Sequence, residues 1–147
     1  MVQRSFLSDL KKVEDNLVEV RKVFLEKLAN QVVYASPNPT DGGSPVDTGA
    51  YVRSHSIGTS TGLGGKQSSE GKPKDYGTAR TDAIDKLLSQ IASIPDGATQ
   101  VFMGNRSPHA SAVENGWPKR DGYHVYTILR AKAPEFIQEA KNQVWGK

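Results

Sequence analysis

Apolar residues recur at Phe6, Leu10, Val13, Leu17, Val20, Phe24 and Leu28, in steps of four and three that keep one stripe on one side of a helix. The intervening positions carry both signs of charge, among them Lys11, Lys12, Glu14, Asp15, Glu19, Arg21, Lys22, Glu26 and Lys27, so the other face is solvated or lies against polar neighbours. The spacing predicts a helix over 2–33. About 30 helical residues span about 45 Å, longer than a compact domain of this chain length is wide. Part of the helix must project or pack on another subunit, and its near-heptad spacing suits either a core-facing helix or one that also serves a neighbouring chain.

The run ASPNPTDGGSP at 35–45 ends that helix with three prolines and two glycines and makes a loop. Asp47 or Thr48 is then placed to cap a turn of helix through Tyr51 and Val52, and 53–59 alternates well enough to be a strand. Residues 58–77, GTSTGLGGKQSSEGKPKDYG, have the composition of a long polar, glycine-rich loop that a neighbour would have to hold. Its GLGGKQS segment misses two fixed positions of the phosphate-cradling pattern, where Ser60 and Gln67 stand. Helical spacing returns over 78–94 with Ala83, Ile84, Leu87, Leu88 and Ile91 on one face, Thr78 or Thr81 as cap, and Pro95, Asp96 and Gly97 as the stop.

The stretch 101–122, VFMGNRSPHASAVENGWPKRDG, is the least generic part of the chain. It starts as a strand at Val101, Phe102 and Met103, breaks at Gly104 and Asn105, restarts as a short helix capped by Ser107 with Pro108 in first position, and ends in a basic turn at Gly116, Trp117 and Pro118. Beyond it, Tyr126, Leu129, Ala133, Phe136, Ile137, Ala140 and Val144 keep a helical stripe over 125–143. Pro134 inside that stripe leaves a second parse open, a strand over 123–130 and a helix from Pro134. There is no internal repeat.

At 147 residues the chain fits a single domain with one core. Its apolar share of 36% is low for a free-standing domain, which points to arms or loops ordered by association. No apolar window is long enough to span a membrane, and the N-terminus lacks the apolar block of a signal peptide, so a cytoplasmic protein is expected. The absence of cysteine removes disulfides, thiolate nucleophiles and sulfur-ligated zinc. A net charge of +3 is compatible with a nucleic-acid neighbour without demanding one.

Candidate chemistry is thin, and no catalytic residue, metal site or cofactor is expected. His55, His109 and His124 have no partner at metal-ligand spacing, and His109 and Glu114 do not share a helix face well enough to work as acid and base. Nothing in the spacing favours a hydrolase built on Asp47, His55 and Glu114 over chance. Trp117, flanked by Gly116 and Pro118 and followed by Lys119 and Arg120, has the composition of an interface anchor or of a plug over its own core. Lys66, Lys72 and Lys74 are placed to meet phosphates if their loop faces nucleic acid.

Two of these segments carry a resemblance. SPVDTGAYVRS at 44–54 and VFMGNRSPHASAVENGWPKRDGY at 101–123 resemble motifs of the tail-completion or neck proteins that join head to tail in lambdoid-type long-tailed bacteriophages, and the order of elements is similar over about two-thirds of the chain. His109 departs from the family's usual tyrosine, and the polar stretch after Gly58 is long. The resemblance implies an α+β fold, a small mainly antiparallel sheet with long amphipathic helices on one face, assembled as a ring, expected to be a hexamer, in the virion neck. It also implies partners: head connector or adaptor proteins, tail terminator or tail tube proteins, and genomic DNA touched without sequence specificity. Pro45, Val46, Asp47, Thr48 and Gly49 would shape the turn before the first strand, and Glu114, Asn115, Gly116, Trp117, Lys119 and Arg120 would form a subunit or partner contact. A tail terminator ring is the near alternative. A small nucleic-acid-binding protein using the basic loop is the alternative of another class.

Overall fold

The computed structural model describes residues 2–46, 50–60 and 76–146. Asp47, Thr48, Gly49, Lys66, Lys72 and Lys74, and with them most of the 58–77 loop, lie outside the described residues.

The fold is α+β and mostly helical. In chain order the elements are α1 (Val2–Tyr34), α2 (Ala50–Arg53), β1 (His55–Gly58), α3 (Tyr76–Ala92), β2 (Phe102–Asn105), α4 (Ala110–Asn115), β3 (Gly116–Trp117), β4 (Arg120–Asp121) and α5 (Val125–Trp145). The sheet is smaller than expected: β1 pairs antiparallel with β2, and β3 with β4, in two separate two-stranded pieces. Arg53 belongs to α2 rather than to a strand, which shortens β1. The break expected at Gly104 and Asn105 does not occur either. Gly104 pairs with Ser56 and Asn105 with His55, so β2 runs through both and the chain turns only afterwards.

The C-terminal half of α1 gives Leu25, Ala29, Val32 and Val33 to the core, α3 gives Ala83, Leu87 and Ile91, and α5 gives Val125 and Leu129. Val52, Ile57 and Val113 close it from α2, β1 and α4. Ala83, Leu87, Ile91 and Leu129 are residues of the expected stripes, whereas α1 buries Leu25, Ala29, Val32 and Val33 beside its expected stripe, which contributes Leu28 and the half-buried Phe24. Burial of these apolar faces is what makes the helices stable in water. β1 is tied to α3 by a side chain, since Gln90 Oε1 accepts the Ile57 N–H at 2.9 Å. That bond satisfies a donor which points away from β2. α3 begins two residues before Thr78, so neither threonine is its cap.

α5 is one continuous helix through Pro134, which decides between the two parses. Pro134 lies on the exposed side, where the carbonyl four residues earlier, left without its N–H partner, can be hydrated. α5 runs antiparallel to α1: Lys27 and Glu139 are 3.3 Å apart, and Val20 and Val23 form a small second cluster with Ala140 and Val144. That cluster sits at the end of α5, so α1 from Leu17 back toward its N-terminus runs on past its neighbour. Leu10, Val13 and Leu17 are accordingly 45%, 51% and 52% exposed although they continue the same stripe.

Candidate functional site

The 101–122 stretch becomes a short helix and a hairpin fastened to the core on several sides. Asn105, the last residue of β2, donates from Nδ2 to the Tyr51 carbonyl at 2.7 Å and accepts the Ser107 N–H on Oδ1 at 2.8 Å. One side chain thus latches the strand end to α2 and turns the chain. Ser107 continues the turn by accepting the His109 N–H at 3.1 Å. It therefore acts one step before the helix, whose N-cap is His109 with no side-chain cap bond, and not as the cap itself.

At the other end of α4, Glu114 reaches across to α5. Oε1 accepts the Tyr126 N–H at 2.7 Å, and Oε2 accepts the Thr127 N–H at 3.1 Å and the Thr127 hydroxyl at 2.7 Å. The N-cap of α5 is His124, at φ 53° and with no side-chain cap bond of its own, so Glu114 supplies from a distance what a local Ser or Asp usually supplies. Partial burial pushes the carboxyl pKa up, but the hydrogen bonds from Tyr126 and Thr127, helped by the His124 charge, outweigh it and hold the pKa below its ordinary value.

The hairpin grows from this base. Gly116 leaves α4 at φ 103°, Gly116 pairs with Asp121 and Trp117 with Arg120 around Pro118 and Lys119. The chain returns through Tyr123 N–H to the Val113 carbonyl at 2.7 Å and His124 N–H to the Glu114 carbonyl at 3.2 Å. Gly122 is buried in that return, and a Cβ there would stand 2.3 Å from the Glu114 carbonyl oxygen. Trp117 is 40% exposed on the projecting end, with Asn115 and Lys119 exposed beside it. The structure therefore keeps Trp117 and Lys119 at the surface and commits the Glu114 carboxylate inside the chain. Of Arg120 it places the backbone, in β4. Among the turn residues expected before β1, Val46 is in the core and Pro45 is half-buried.

A second polar cluster went unrecognised in the sequence. His55 is buried, with Nε2 2.6 Å from Ser44 Oγ and Nδ1 2.7 Å from the Tyr126 hydroxyl. Ser44 Oγ is also 2.6 Å from the Val32 carbonyl, which takes the hydroxyl's one proton. The hydrogen-bond network thus assigns the ring as the neutral Nε2–H tautomer, donating to Ser44 and accepting from Tyr126 on Nδ1. Burial, with the Lys86 charge adding to it, pushes the His55 pKa down to about 3. A serine and histidine in contact would suggest a nucleophile and its base, but here the ring donates to a serine with no solvent exposure, the reverse of what proton abstraction needs. The cluster is a strut joining the end of α1, the loop after it, β1 and α5. One weak signal in the sequence pointed to it: His55 stands two residues before Ile57, on the same parity of the expected strand.

Glu114 and His55, two members of the conceivable hydrolase set, both hold Tyr126, Glu114 through its backbone N–H and His55 through its hydroxyl. Among the described residues no three His, Asp or Glu side chains are grouped as metal ligands, and no helix is long and apolar enough to cross a membrane. No protein-family model matches the chain, and neither a curated protein nor a solved structure matches it.

Proposed function

We propose that the chain is a structural, non-enzymatic component of a tailed-bacteriophage neck, assembled in the host cytoplasm as a ring, most simply a hexamer, that completes the tail and joins it to the head connector. The observation that carries this reading is the hairpin at Trp117. Its base is pinned through Asn105, Glu114 and the Val113 carbonyl, while its tip offers a half-exposed tryptophan next to Lys119. A rigid aromatic anchor beside a cation is what an adhesive surface requires, because little conformational entropy is lost on docking. The same stretch carries the stronger of the two sequence resemblances to neck proteins, so motif and exposed surface coincide. Connector or adaptor proteins on one side and tail terminator or tube proteins on the other are the partners this reading requires. Lys66, Lys72 and Lys74 are assigned to passing DNA or a neighbouring ring. A tail terminator ring would use the same surface one level lower in the particle.

The test is joining of tails to filled heads in extracts made without this chain. Adding it back restores joined particles, and the Trp117→Ala chain restores them at least tenfold less well. Joining that proceeds without the chain overturns the neck reading, whereas full activity of the Trp117→Ala chain removes only the anchor.

A further inference from the structure

The sheet of β1 and β2 has one closed edge and one open edge. On the β1 side Gln90 takes the Ile57 N–H, so α3 closes that edge. The same bond fixes the parity of the ladder. Ile57 faces Met103 in a pair that exchanges no hydrogen bonds, and the Arg106 N–H returns to the Ser54 carbonyl at 3.0 Å, so the bonded pairs are Gly104 with Ser56 and Phe102 with Gly58. The N–H and C=O groups of Val101, Met103 and Asn105 therefore point away from β1. Among the described residues no strand lies on that side of β2, and no hydrogen bond reaches the main chain of Val101 or Met103. Sheets commonly blunt such an edge with a charge or a proline. The segment 99–105, TQVFMGN, has neither.

An extended chain is what answers outward N–H and C=O groups at every second residue, and β2 is complementary to its own edge. Antiparallel pairing of two copies about Met103 sets Met103 opposite Met103, Val101 opposite Asn105 and Phe102 opposite Gly104, so that every outward residue meets an outward one. The side chains agree with this register. Val101 and Met103 pack against the core, whereas Phe102 lies on the other face of the sheet with Gly104 and is half-buried. Phe102 of each copy then covers the bare backbone of Gly104 in the other, a pairing of large on small that strand edges favour. No like charges are opposed, because Arg106, the nearest charged residue, stands opposite Gln100. We propose that two copies pair through their β2 edges, making one antiparallel sheet in the order β1-β2-β2-β1 about a two-fold axis at Met103. The contact uses the same edge on both copies and so stops at a dimer. A two-fold pair has no head side and tail side, so it is a form of the free chain. It goes beyond the neck reading and does not rest on it.

The experiment uses the full-length chain. Light scattering and native mass measurement should show dimers in equilibrium with monomers, a weak association because the paired edge is short. As the chain is concentrated, hydrogen exchange at the Met103 amide should slow by about tenfold, while Gly104, whose amide already bonds to Ser56, should not change. Met103→Pro removes the outward N–H at the centre of the pairing and no bond to β1. It should be monomeric with unchanged helicity by circular dichroism. Phe102→Ala should weaken the dimer about tenfold, since both aromatic covers are lost at once. If Met103→Pro does not fold, exchange in the parent and association of Phe102→Ala decide the matter. A parent that stays monomeric overturns the pairing, as does an oligomer of any size in which the Met103 amide exchanges as fast as in the monomer. A dimer that either variant leaves at full strength overturns it too. None of these outcomes touches head–tail joining, on which the neck reading stands or falls.

Discussion

Glu114 and Thr127 are joined twice, through the backbone N–H at 3.1 Å and the hydroxyl at 2.7 Å, and both bonds end on one carboxylate oxygen. The other oxygen takes the Tyr126 N–H. A residue at the end of α4 thus caps a helix that starts eleven residues later, and the hairpin between them is closed into a loop. Glu114→Ala should cost about 1–2 kcal/mol, the usual loss of an N-cap, read as a lower denaturation midpoint. Glu114→Gln should lose less, keeping an acceptor but not the charge that favours a helix N-terminus. Because the folded-state pKa is depressed, this stabilisation is full above the ordinary carboxylate range and disappears as pH falls through it. The deficit of Glu114→Ala should therefore shrink in acid, and a deficit that persists unchanged well below that range would contradict the capping role.

The long helices α1 and α3 are legible in the sequence because their stability comes from a repeating apolar face, a local pattern that one chain displays. The length of α1 announced that part of it would be unmatched. What stayed hidden depends on residues far apart in the chain. Glu114 looked like part of an exposed contact because nothing near it in sequence marks the start of α5, and His124, the actual cap position, offers no cap side chain. His55 looked isolated because its partners, Ser44 and Tyr126, are 11 and 71 residues away. Strand pairing was harder still. β1 and β2 are four residues each, so a difference of one residue at the start of β2 and two at its end separates the expected strand, Val101 to Met103, from the observed one.

The burial of His55 makes the fold sensitive to mild acid. Its folded-state pKa of about 3 lies below the ordinary 6.5, so the unfolded chain binds the extra proton first. The neutral ring's contribution is complete above the unfolded value and is lost progressively as pH falls toward 3. Between pH 7 and pH 5 the loss is on the order of 2 kcal/mol. Equilibrium unfolding at the two pH values should show it, and His55→Gln should flatten this slope while lowering stability at pH 7. An equally steep slope in His55→Gln would assign the acid sensitivity to other groups.

Arg21 holds the turn after α3 against α1, with Nη1 donating to the Ala98 carbonyl and Nη2 to the Pro95 carbonyl, each at 3.1 Å. Arg21→Ala removes both bonds and the alkyl packing of the stem, a loss of about 1–2 kcal/mol. Hydrogen exchange should quicken chiefly at Ala98 and its neighbours, with the α3 core unchanged. Arg21→Lys should rescue little, since one ammonium does not reproduce the two-pronged reach. Uniform exchange across the chain in Arg21→Ala would mean that the bonds steady the whole fold rather than this turn.

Two glycines separate backbone crowding from backbone freedom. At Gly122 a Cβ would meet the Glu114 carbonyl oxygen at 2.3 Å and the Gly116 nitrogen at 2.6 Å, and backbone atoms held by α4 and the hairpin cannot step aside. At Gly97 a Cβ meets nothing within 4 Å. Gly122→Ala should therefore cost about 2–4 kcal/mol, as forced overpacking does. Gly97→Ala should be neutral or stabilising by up to about 1 kcal/mol, through loss of unfolded-state freedom. The hairpin that Gly122 closes is the one that carries Trp117. If that tryptophan works only when rigidly placed, Gly122→Ala should reduce head–tail joining at temperatures where the chain is still folded, and Gly97→Ala should leave joining unchanged. Equal joining by both variants would mean that the hairpin base does not need to be fixed for the tip to make its contact.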